Sequence, residues 1–291
     1  MDRSAVTVLT TGANYGIGNA VALHTARLGY RSVCTVRSEE KAELVHRGAH
    51  DAGLSVETAL LDVTDDAACE QVVEKYRPLA LVNNAGYNST GAIEDLDEAE
   101  ARLCMETMAI APLKLARLAM PHMRAAGWGR VIQMSSIIGR TTLPLCGWYQ
   151  ASKFALEAAS DALRTEVASA GVSVVLIEPG AVKTGIWGEG VWSDDDRMLA
   201  TPFTPSYQRL RKLMSMQDRL MNSPEKIARI VGRCLTSDHP RARYLIGLDA
   251  HLLVAMRRAL PTSIEDAIMR RALGLMTHPG NGEGNVEGLA I

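Results

Sequence analysis

The sequence of 291 residues is long enough for one large domain or two small ones, and it can bury a sizeable core. Hydrophobic residues make up 47% of the chain and charged residues 22%, as is usual for a soluble globular protein. The net charge of -2 provides no overall basic field for nucleic acid or anionic lipid. We therefore expect no nucleic-acid partner.

Cysteine usage and the N-terminal residues bear on the compartment. The five cysteines are scattered, odd in number and without a C-x-x-C pair: Cys34, Cys69, Cys104, Cys146 and Cys234. This favours reduced thiols in an intracellular compartment, and we expect a cytoplasmic protein. The first residues lead directly into a strand pattern, which predicts no signal peptide. No apolar run approaches the ~18–20 residues of a membrane span, and the histidines lack metal-ligand spacing, so no metal site is expected.

The first half of the chain alternates short apolar strands with amphipathic helices. Strands are predicted at Ala5–Thr10, Arg31–Val36, Ser55–Leu61 and Leu79–Val82, with helices ending at Leu28 and spanning Ser38 to about Ala52 and Thr64–Tyr76. Such alternation indicates a parallel sheet covered on both faces. The predicted fold is α/β, a doubly wound Rossmann-like parallel sheet with helices on both faces, in a single domain over residues 1–275.

A glycine-rich turn, T-G-A-N-Y-G-I-G, runs from Thr11 to Gly18 between the first strand and the first helix. Gly12 permits a tight turn, while Gly16 and Gly18 let backbone N–H groups approach a pyrophosphate. The spacing differs from G-x-G-x-x-G, and G-x-x-x-G-x-G also occurs by chance in glycine-rich loops. The preceding strand and the following helix favour the nucleotide-binding interpretation.

The end of the second strand, Val36-Arg37, bears on cofactor choice. NAD-binding proteins usually carry an acidic residue there for the ribose 2′-hydroxyl, and this chain has none. Arg37 can instead pair with a 2′-phosphate, a charge-assisted contact worth about 1.5–3 kcal/mol. The alternative is an ordinary solvated surface arginine. We favour the phosphate contact and expect NADP(H) as the cofactor.

Three residues in the middle of the chain suggest acid/base chemistry. Tyr149 and Lys153 are four apart on a helix predicted to begin at Trp148 or Tyr149, so they share one face. A fixed ammonium group beside a phenol is expected to lower the pKa of the phenol. Ser136 follows a strand-like apolar run, and its hydroxyl could hold a carbonyl oxygen. Y-x-x-x-K alone also occurs on ordinary helix surfaces.

Taken together, the motifs resemble the short-chain dehydrogenase/reductase family over about residues 4–260. The matching set is T-G-A-N-Y-G-I-G, Asp62-Val63, N-N-A-G at Asn83–Gly86, Ser136, Tyr149-x-x-x-Lys153 and E-P-G-A-V-K-T at Glu178–Thr184. Two later segments, R-A-R-Y-L-I-G-L-D-A-H and A-L-P-T-S-I-E-D, are similar to the C-terminal extension of retinol and hydroxysteroid dehydrogenase-like members.

The resemblance implies a role for each matching residue. Ser136 would position the carbonyl or alcohol, Tyr149 would be the acid/base, and Lys153 would hold the nicotinamide ribose and lower the pKa of Tyr149. The residues implied to bind the cofactor are Gly12, Asn14, Tyr15, Gly16, Ile17, Gly18, Arg37, Asp62, Val63, Asn84, Ala85, Gly86, Tyr149, Lys153, Pro179, Gly180, Val182 and Thr184. Asn83 would also line the cleft, and Asx turns within the Asn83-Asn84 loop are the structural alternative.

One position departs from the family pattern. The family has an asparagine in the helix before the fifth strand, and counting back from Pro121 places Met108 there. That asparagine is thought to support a water linking the lysine to solvent, whereas a thioether accepts weakly and cannot donate. Thr107, or a backbone carbonyl with a second water, would have to rebuild the relay. Otherwise turnover would be slow.

Two long helices also suggest an assembly. Helices are predicted over Asp97–Ala126 and Tyr149–Ala170, and in the family the equivalent pair often forms a four-helix dimer interface. Small side chains at Ala151 and Ala155 would permit close approach. The alternative is that both helices only cover the sheet. We expect a homodimer or homotetramer.

A loosely patterned stretch at about residues 185–222 is predicted to be a lid over a bulky hydrophobic substrate. Loops of this length are usually lids or binding loops, and its aromatic density is high. The aromatic residues are Trp187, Trp192, Phe203 and Tyr207, with a helix-like run at Tyr207–Leu220. Leu143, Leu145 and Cys146 would line the opposite wall. Alternatively, the aromatic residues pack into the edge of the sheet.

Downstream, Ser223 and Pro224 predict a helix start, with the helix ending near Leu235. A last strand at Arg243–Ile246 and a helix at Ala250–Leu260 follow. Residues 276–291 are glycine-rich, and a disordered tail is expected.

The sequence therefore predicts an NADP(H)-dependent oxidoreductase. It would transfer a hydride between nicotinamide and a carbonyl or secondary alcohol of a small hydrophobic, steroid-, retinoid- or lipid-like substrate. The alternative is a nucleotide-binding regulatory or interaction protein of the same fold with little turnover. A carrier-bound acyl chain is a further possible substrate, with Arg140 and Lys183 as the visible basic residues.

Overall fold

A computed structural model describes residues 2–183, 200–215 and 221–275. Its seven strands are β1 (Thr7–Thr10), β2 (Arg31–Val36), β3 (Glu57–Leu60), β4 (Ala80–Asn83), β5 (Gly129–Met134), β6 (Val172–Pro179) and β7 (Arg243–Ile246). All neighbouring strands pair in parallel, in the order β3-β2-β1-β4-β5-β6-β7. The predicted doubly wound α/β fold is confirmed.

The helices connect these strands and cover both faces of the sheet. They are α1 (Gly16–Arg27), α2 (Glu39–Asp51), α3 (Asp66–Tyr76), α4 (Glu98–Met105), α5 (Ala111–Ala126), α6 (Gly147–Glu166), α7 (Thr204–Ser215), α8 (Pro224–Thr236), α9 (Leu248–Ala259) and α10 (Thr262–Leu273). Within β5, Val131 joins the core formed with α3 and α5, whereas Ile132 joins the core formed with α1 and α8. Alternate strand residues therefore enter opposite cores.

Side-chain caps fix where several helices begin. Ser38, Asp65 and Ser223 each accept a backbone N–H in the first turn of α2, α3 and α8. The cap of α3 is therefore Asp65, one residue after the predicted Thr64. The reason is local, because Thr64 instead donates its hydroxyl and backbone N–H to Asp62 at 2.7 and 3.0 Å.

The predicted continuous helix over Asp97–Ala126 is interrupted by a π-helical turn, Glu106–Ile110, between α4 and α5. The N–H of Ala111 donates to the carbonyl of Glu106, five residues earlier. Pro112 has no N–H to offer the carbonyl of Met108. The α-helical ladder therefore breaks at the turn that contains Met108, and such turns are frequent at functional sites.

Other boundaries also differ from those predicted. Helix α6 begins at Gly147, and α7 begins at Thr204 rather than Tyr207. Helix α10 was not predicted, although Pro261 precedes it and Gly274 ends it at a φ of 70°. Much of the predicted lid, together with the predicted tail at residues 276–291, lies outside the described residues.

All five cysteines are buried with free thiols. None of the helices within the described ranges combines the length and apolar character that crossing a bilayer requires.

Candidate active site

Two adjoining cavities lie at the carboxyl ends of the strands. We call the first the nucleotide cleft, because the predicted glycine turn lines it, and it has a volume of about 350 Å³. We call the second the catalytic cavity, because the predicted Ser136, Tyr149 and Lys153 line it, and it has a volume of about 330 Å³. Ile17, Asn84, Gly86 and Tyr87 line both, so the two spaces meet there. This is where the strand order reverses between β1 and β4, the usual ligand position in a doubly wound sheet.

The glycine turn shapes one wall of the nucleotide cleft. Gly12 and Gly16 have φ values of 63° and 58°, a region that favours glycine. A Cβ at Gly18 would overlap the carbonyl oxygen of Gly12 and lie 2.5 Å from Nδ2 of Asn84. The absence of a Cβ at Gly18 therefore lets α1 pack closely against Gly12 and Asn84. Gly18 itself does not line the cleft. No described side chain caps α1 at Tyr15, so its first N–H groups suit a phosphate.

The N-N-A-G loop holds the glycine turn in place. The backbone N–H groups of Asn84 and Ala85 both donate to Oγ1 of Thr11 at 2.9 Å, and Nδ2 of Asn84 donates to the carbonyl oxygens of Thr11 and Gly12 at 3.0 and 3.1 Å. Asn83 was predicted to line the cleft, and this is wrong. Because it ends a buried strand, its Nδ2 donates inward to Pro112 and Gln133, each at 2.9 Å.

The far end of the nucleotide cleft is polar. Arg37 lies there beside Asp62 and Lys41. Lys41 was not predicted from the sequence, although it follows Arg37 by four residues. Hydrogen bonds from the backbone and side chain of Thr64 lower the pKa of Asp62, with a smaller contribution from the Arg37 charge. This end therefore presents two cationic side chains and an ionised carboxylate.

Most predicted cofactor-binding residues meet at these cavities. The nucleotide cleft is lined by Gly12, Asn14, Tyr15, Gly16, Ile17, Arg37, Asp62, Val63, Asn84, Ala85 and Gly86. The catalytic cavity adds Ser136, Tyr149, Lys153, Pro179, Gly180 and Val182. Thr184 lies outside the described residues.

The three predicted catalytic residues converge in the second cavity. Ser136 follows β5, and its Oγ accepts the N–H of Ile138 at 3.3 Å. Tyr149 and Lys153 lie one turn apart on α6, with Nζ of Lys153 5.7 Å from the centre of the Tyr149 ring. The ammonium group of Lys153 donates to the carbonyl oxygen of Met134 at 2.8 Å.

Burial changes the pKa values of both Tyr149 and Lys153. Burial raises the pKa of Tyr149, the nearby Cys146 raises it further, and a side-chain hydrogen bond with Ser136 acts in the opposite direction. This is contrary to the predicted lowering by Lys153, because the desolvation of the phenolate dominates. Burial also disfavours the charged form of Lys153, and for an ammonium group this lowers the pKa, to about 8. The phenol is therefore protonated at neutral pH and can act as a proton donor.

The π-helical turn divides its side chains between the cavities. Thr107 faces the nucleotide cleft, whereas Met108 lines the catalytic cavity and is 1% exposed. A Cβ at Gly86 would lie 3.3 Å from Sδ of Met108. Thr107 is not among the residues that line the cavity with Lys153, and the ammonium group of Lys153 donates to the backbone carbonyl of Met134.

The rest of the catalytic cavity is mainly apolar, and three C-terminal helices supply one wall. Its members are Leu210, Leu213 and Met214 of α7, Leu253 of α9, and Met269, Ala272 and Leu273 of α10. The α9 and α10 residues were missed because their position depends on how the chain returns to the sheet. Asp249 of α9 also lies here and accepts the N–H of Ala181 at 2.8 Å.

Only part of the predicted substrate wall is observed. Leu143 lines the catalytic cavity. Leu145 does not, because its φ of 68° turns it into a separate buried cluster with Cys146 and Tyr207. The hydroxyl of Tyr207 donates to Asp95 at 2.6 Å, so this aromatic residue packs structurally. Trp187 and Trp192 lie outside the described residues.

A partly buried ionic cluster links α6, β6 and β7. Arg243 of β7 contacts carboxylate oxygens of Glu157, Asp161 and Glu178 at 3.0, 2.6 and 2.9 Å. Burial is the main cause that raises the pKa of Glu157, which lies one turn beyond Lys153 on α6. Because Glu178 directly precedes Pro179, the cluster ties α6 to the Pro179-Gly180 turn.

Comparison with known proteins gives a consistent result. A family model for short chain dehydrogenases matches residues 6–192. An uncharacterized oxidoreductase, YusZ, from Bacillus subtilis is 31% identical over 91% of this chain and 97% of its own length. Human retinol dehydrogenase 5 is 31% identical over 90% of this chain and 87% of its own. An NADPH-dependent 3-dehydrocapnine reductase from Ornithobacterium rhinotracheale is 30% identical over 92% of this chain and 98% of its own.

Solved structures show the same similarity. A short-chain dehydrogenase from Streptomyces avermitilis has a TM-score of 0.74 and 28% identity, covering 96% of this chain and 100% of that one. A metagenomic short-chain oxidoreductase in complex with NADP has a TM-score of 0.66 and 26% identity, covering 84% and 98%.

Proposed function

This chain belongs to the short-chain dehydrogenase/reductase family, and from that premise we propose that it is an NADP(H)-dependent oxidoreductase acting on a carbonyl or secondary alcohol of a hydrophobic substrate. The proposal rests mainly on one observation: Ser136, Tyr149 and Lys153 line one cavity, and this cavity adjoins the cleft lined by the glycine turn. This arrangement supports hydride and proton transfer to one substrate bound between the two cavities.

The preference for NADP(H) rests on charge at the far end of the nucleotide cleft. Arg37 and Lys41 can both approach a 2′-phosphate there. The similarity to an NADPH-dependent reductase and to an NADP-bound oxidoreductase supports this choice. Because Arg37 is exposed, solvent screening reduces the value of its contact, and we expect a preference over NAD(H) of about tenfold.

In this proposal Ser136, Tyr149 and Lys153 have separate roles in the reaction. When bound, the nicotinamide cofactor supplies or accepts the hydride. Ser136 holds the substrate oxygen, and Tyr149 delivers a proton to that oxygen during reduction or removes it during oxidation. Lys153 keeps a positive charge beside Tyr149 and is held by the carbonyl of Met134. The raised pKa of Tyr149 favours the protonated phenol that reduction requires.

The apolar wall indicates the substrate class. Leu210, Met269 and Leu273 face the catalytic end of the same cavity across a volume of about 330 Å³. Such a wall favours a bulky apolar body and a single reacting oxygen, as in steroid-, retinoid- or lipid-like molecules. The similarity to retinol dehydrogenase 5 supports this class.

We also propose a homodimer or homotetramer. Ile110 beside α5 and Phe154 on α6 are 49% and 41% exposed, on the helices for which an assembly was predicted. Large apolar side chains at these positions support a subunit interface.

Met108 favours a second candidate, a nucleotide-binding regulatory protein of the same fold with little turnover. Its thioether replaces a hydrogen-bonding amide and closes the catalytic cavity next to Gly86. In this candidate NADPH would bind, and the hydride and proton transfers would be slow.

A ketone-reduction panel with aliphatic, steroidal and aromatic substrates separates the candidates. NADPH oxidation by the unmodified protein should fall by about 10²–10⁴-fold in Tyr149→Phe, because the proton donor is lost. Tyr76→Phe removes a buried hydroxyl that donates to Thr58, away from both cavities, and serves as the matched control.

NADPH binding is measured in parallel by fluorescence titration. Turnover that survives Tyr149→Phe would contradict its role as proton donor. Tight NADPH binding without turnover of any ketone, followed by activity in Met108→Asn, would favour the regulatory protein.

A further inference from the structure

The outward face of α9 is apolar. Leu248 and Leu252 are 88% and 62% exposed, and Ala255 and Ala259 continue the same face at helical spacing. The opposite face is buried through Ala250 and Val254. His251 and Arg258 are exposed beside these residues. A helix that only covers a core carries mainly polar residues on its outward face, so four apolar residues of α9 are exposed where polar ones are expected.

Helix α10 also has exposed apolar side chains. It follows α9 after Leu260 and Pro261, and its Ile264 and Ile268 are 46% and 40% exposed. Arg271 shares their face at the i+7 and i+3 positions. Exposed apolar side chains therefore recur on two consecutive helices that both line the catalytic cavity.

The inner sides of the same helices line the catalytic cavity. Leu253 of α9 and Met269 of α10 contribute to its wall. An ion pair between Arg257 and Glu265 joins the two helices. The exposed leucines and isoleucines therefore occupy the outside of a wall whose inside faces the proposed substrate.

Charge is concentrated around this wall. Helices α7, α9 and α10 contain seven basic residues, all exposed: Arg209, Arg211, Lys212, Arg257, Arg258, Arg270 and Arg271. They contain three acidic residues, Asp249, Glu265 and Asp266, which gives a net charge of +4. The whole chain has a net charge of -2, so these three helices are basic relative to the rest of the sequence.

We propose that the docking surface formed by the outer faces of α9 and α10, together with Arg209 and Arg211 of α7, binds an anionic lipid bilayer at its interface. Exposed aliphatic side chains can enter the headgroup region, and the flanking arginines can pair with lipid phosphates. A second copy of this chain is a poorer occupant because it would bring the exposed arginines of two such surfaces together.

This binding does not require turnover. Its use, the passage of a hydrophobic substrate from the bilayer to the cavity behind α9 and α10, rests on the proposed function. Failure of vesicle binding would leave the ketone-reduction test intact, and failure of that test would leave the lipid surface standing.

Flotation of the full-length chain with lipid vesicles tests the docking surface. The protein should float with phosphatidylcholine vesicles that contain a third of phosphatidylglycerol and bind pure phosphatidylcholine much more weakly. The combined substitutions Leu248→Ser and Leu252→Ser should lower the partition coefficient by about tenfold or more, because less apolar surface is buried. Leu44→Ser with Leu60→Ser is the matched control, since these leucines are 47% and 49% exposed elsewhere.

The charge is tested separately. Arg258→Gln with Arg271→Gln should reduce binding to the anionic vesicles about tenfold at low salt, because each cation near the surface contributes. Arg47→Gln with Arg124→Gln changes the net charge equally at other exposed positions. NADPH affinity, measured for every variant, verifies that the fold is retained.

Three results would overturn the proposal: no flotation of the unmodified chain, equal binding to neutral and anionic vesicles, or equal losses in the control pairs. Light scattering adds a fourth. A lower molar mass for the Leu248 and Leu252 variant would identify the surface as a subunit interface.

Discussion

The nucleotide cleft and the catalytic cavity share a boundary but are built in different ways. The cleft comes mainly from the first third of the chain, where Gly12, Gly16 and the N-N-A-G loop fix backbone positions through short contacts. The cavity wall comes from apolar side chains on α7, α9 and α10, more than a hundred residues later. Backbone geometry constrains the first site, whereas side-chain volume and packing constrain the second.

This difference predicts how each site responds to substitution. A single added carbon should weaken binding in the cleft strongly, because it meets backbone atoms, which can move only together with the element that carries them. The apolar wall should tolerate changes in size and respond mainly through the choice of substrate.

Of the substitutions that compare the two sites, Gly18→Ala is expected to have the largest effect on cofactor binding. Its Cβ would overlap the carbonyl oxygen of Gly12, so α1 must shift away from the cradle. We expect NADPH affinity to fall by about 100-fold, since a displacement of ~1 Å in a positioned site has effects of that size. Isothermal titration calorimetry measures this directly. Gly48→Ala is the control, because a Cβ there meets nothing within 4 Å. Unchanged NADPH affinity in both variants would contradict the role of the glycine turn in cofactor binding.

The pH dependence tests the catalytic end of the cavity. Because burial lowers the pKa of Lys153 to about 8, its positive charge is lost as the pH rises through that value. We expect kcat/KM for ketone reduction to fall about tenfold per pH unit above the transition. Lys153→Arg should move the fall to higher pH if it retains activity, since arginine stays charged. A flat profile up to the pKa of free lysine would contradict a role for this charge.

The same shift has a consequence for stability. The folded state binds the Lys153 proton less tightly than the unfolded state, whose ordinary pKa is 10.5. The resulting destabilisation is complete below pH 8 and disappears as the pH rises to 10.5. At neutral pH, Lys153→Met should raise the free energy of unfolding by at most about 3 kcal/mol. Urea denaturation measures this, and a loss of stability would show that the hydrogen bond to Met134 outweighs the desolvation.

A moderate effect is expected at the polar end of the cleft. Arg37→Gln with Lys41→Gln should raise the KM for NADPH about tenfold and leave the KM for NADH unchanged, because only NADPH carries the 2′-phosphate. Arg47→Gln is the control, an exposed arginine of α2 that does not line the cleft. Equal changes for NADPH and NADH would remove the basis for the NADP(H) preference.

The smallest effect is expected in the apolar wall. Met269→Ala should lower kcat/KM for bulky ketones several-fold, because part of the apolar contact is lost, and it should leave the KM for NADPH unchanged. Met256→Ala lies on α9 but does not line the cavity, and it serves as the control. A change in the KM for NADPH without a change in kcat/KM for ketones would contradict the assignment of α10 to the substrate wall.

The sequence predicted the nucleotide cleft in more detail than the catalytic cavity. Gly12, Arg37 and Asp62 belong to short motifs whose spacing carries their position, and all line the cleft. Leu145 was placed wrongly because its left-handed backbone conformation cannot be seen in the pattern of apolar residues. Lys41 was missed because one turn of helix brings it back to the strand end.

By itself, the sequence determined the alternation of strands and helices, the glycine turn and the spacing of Tyr149 and Lys153, since these depend on neighbours within a few residues. Only the tertiary structure decided that α10 forms a wall of the cavity, that Met108 faces Gly86 and that burial raises the pKa of Tyr149. These features depend on packing between segments distant in the chain. Desolvation is a property of the surrounding atoms, and no local spacing encodes it.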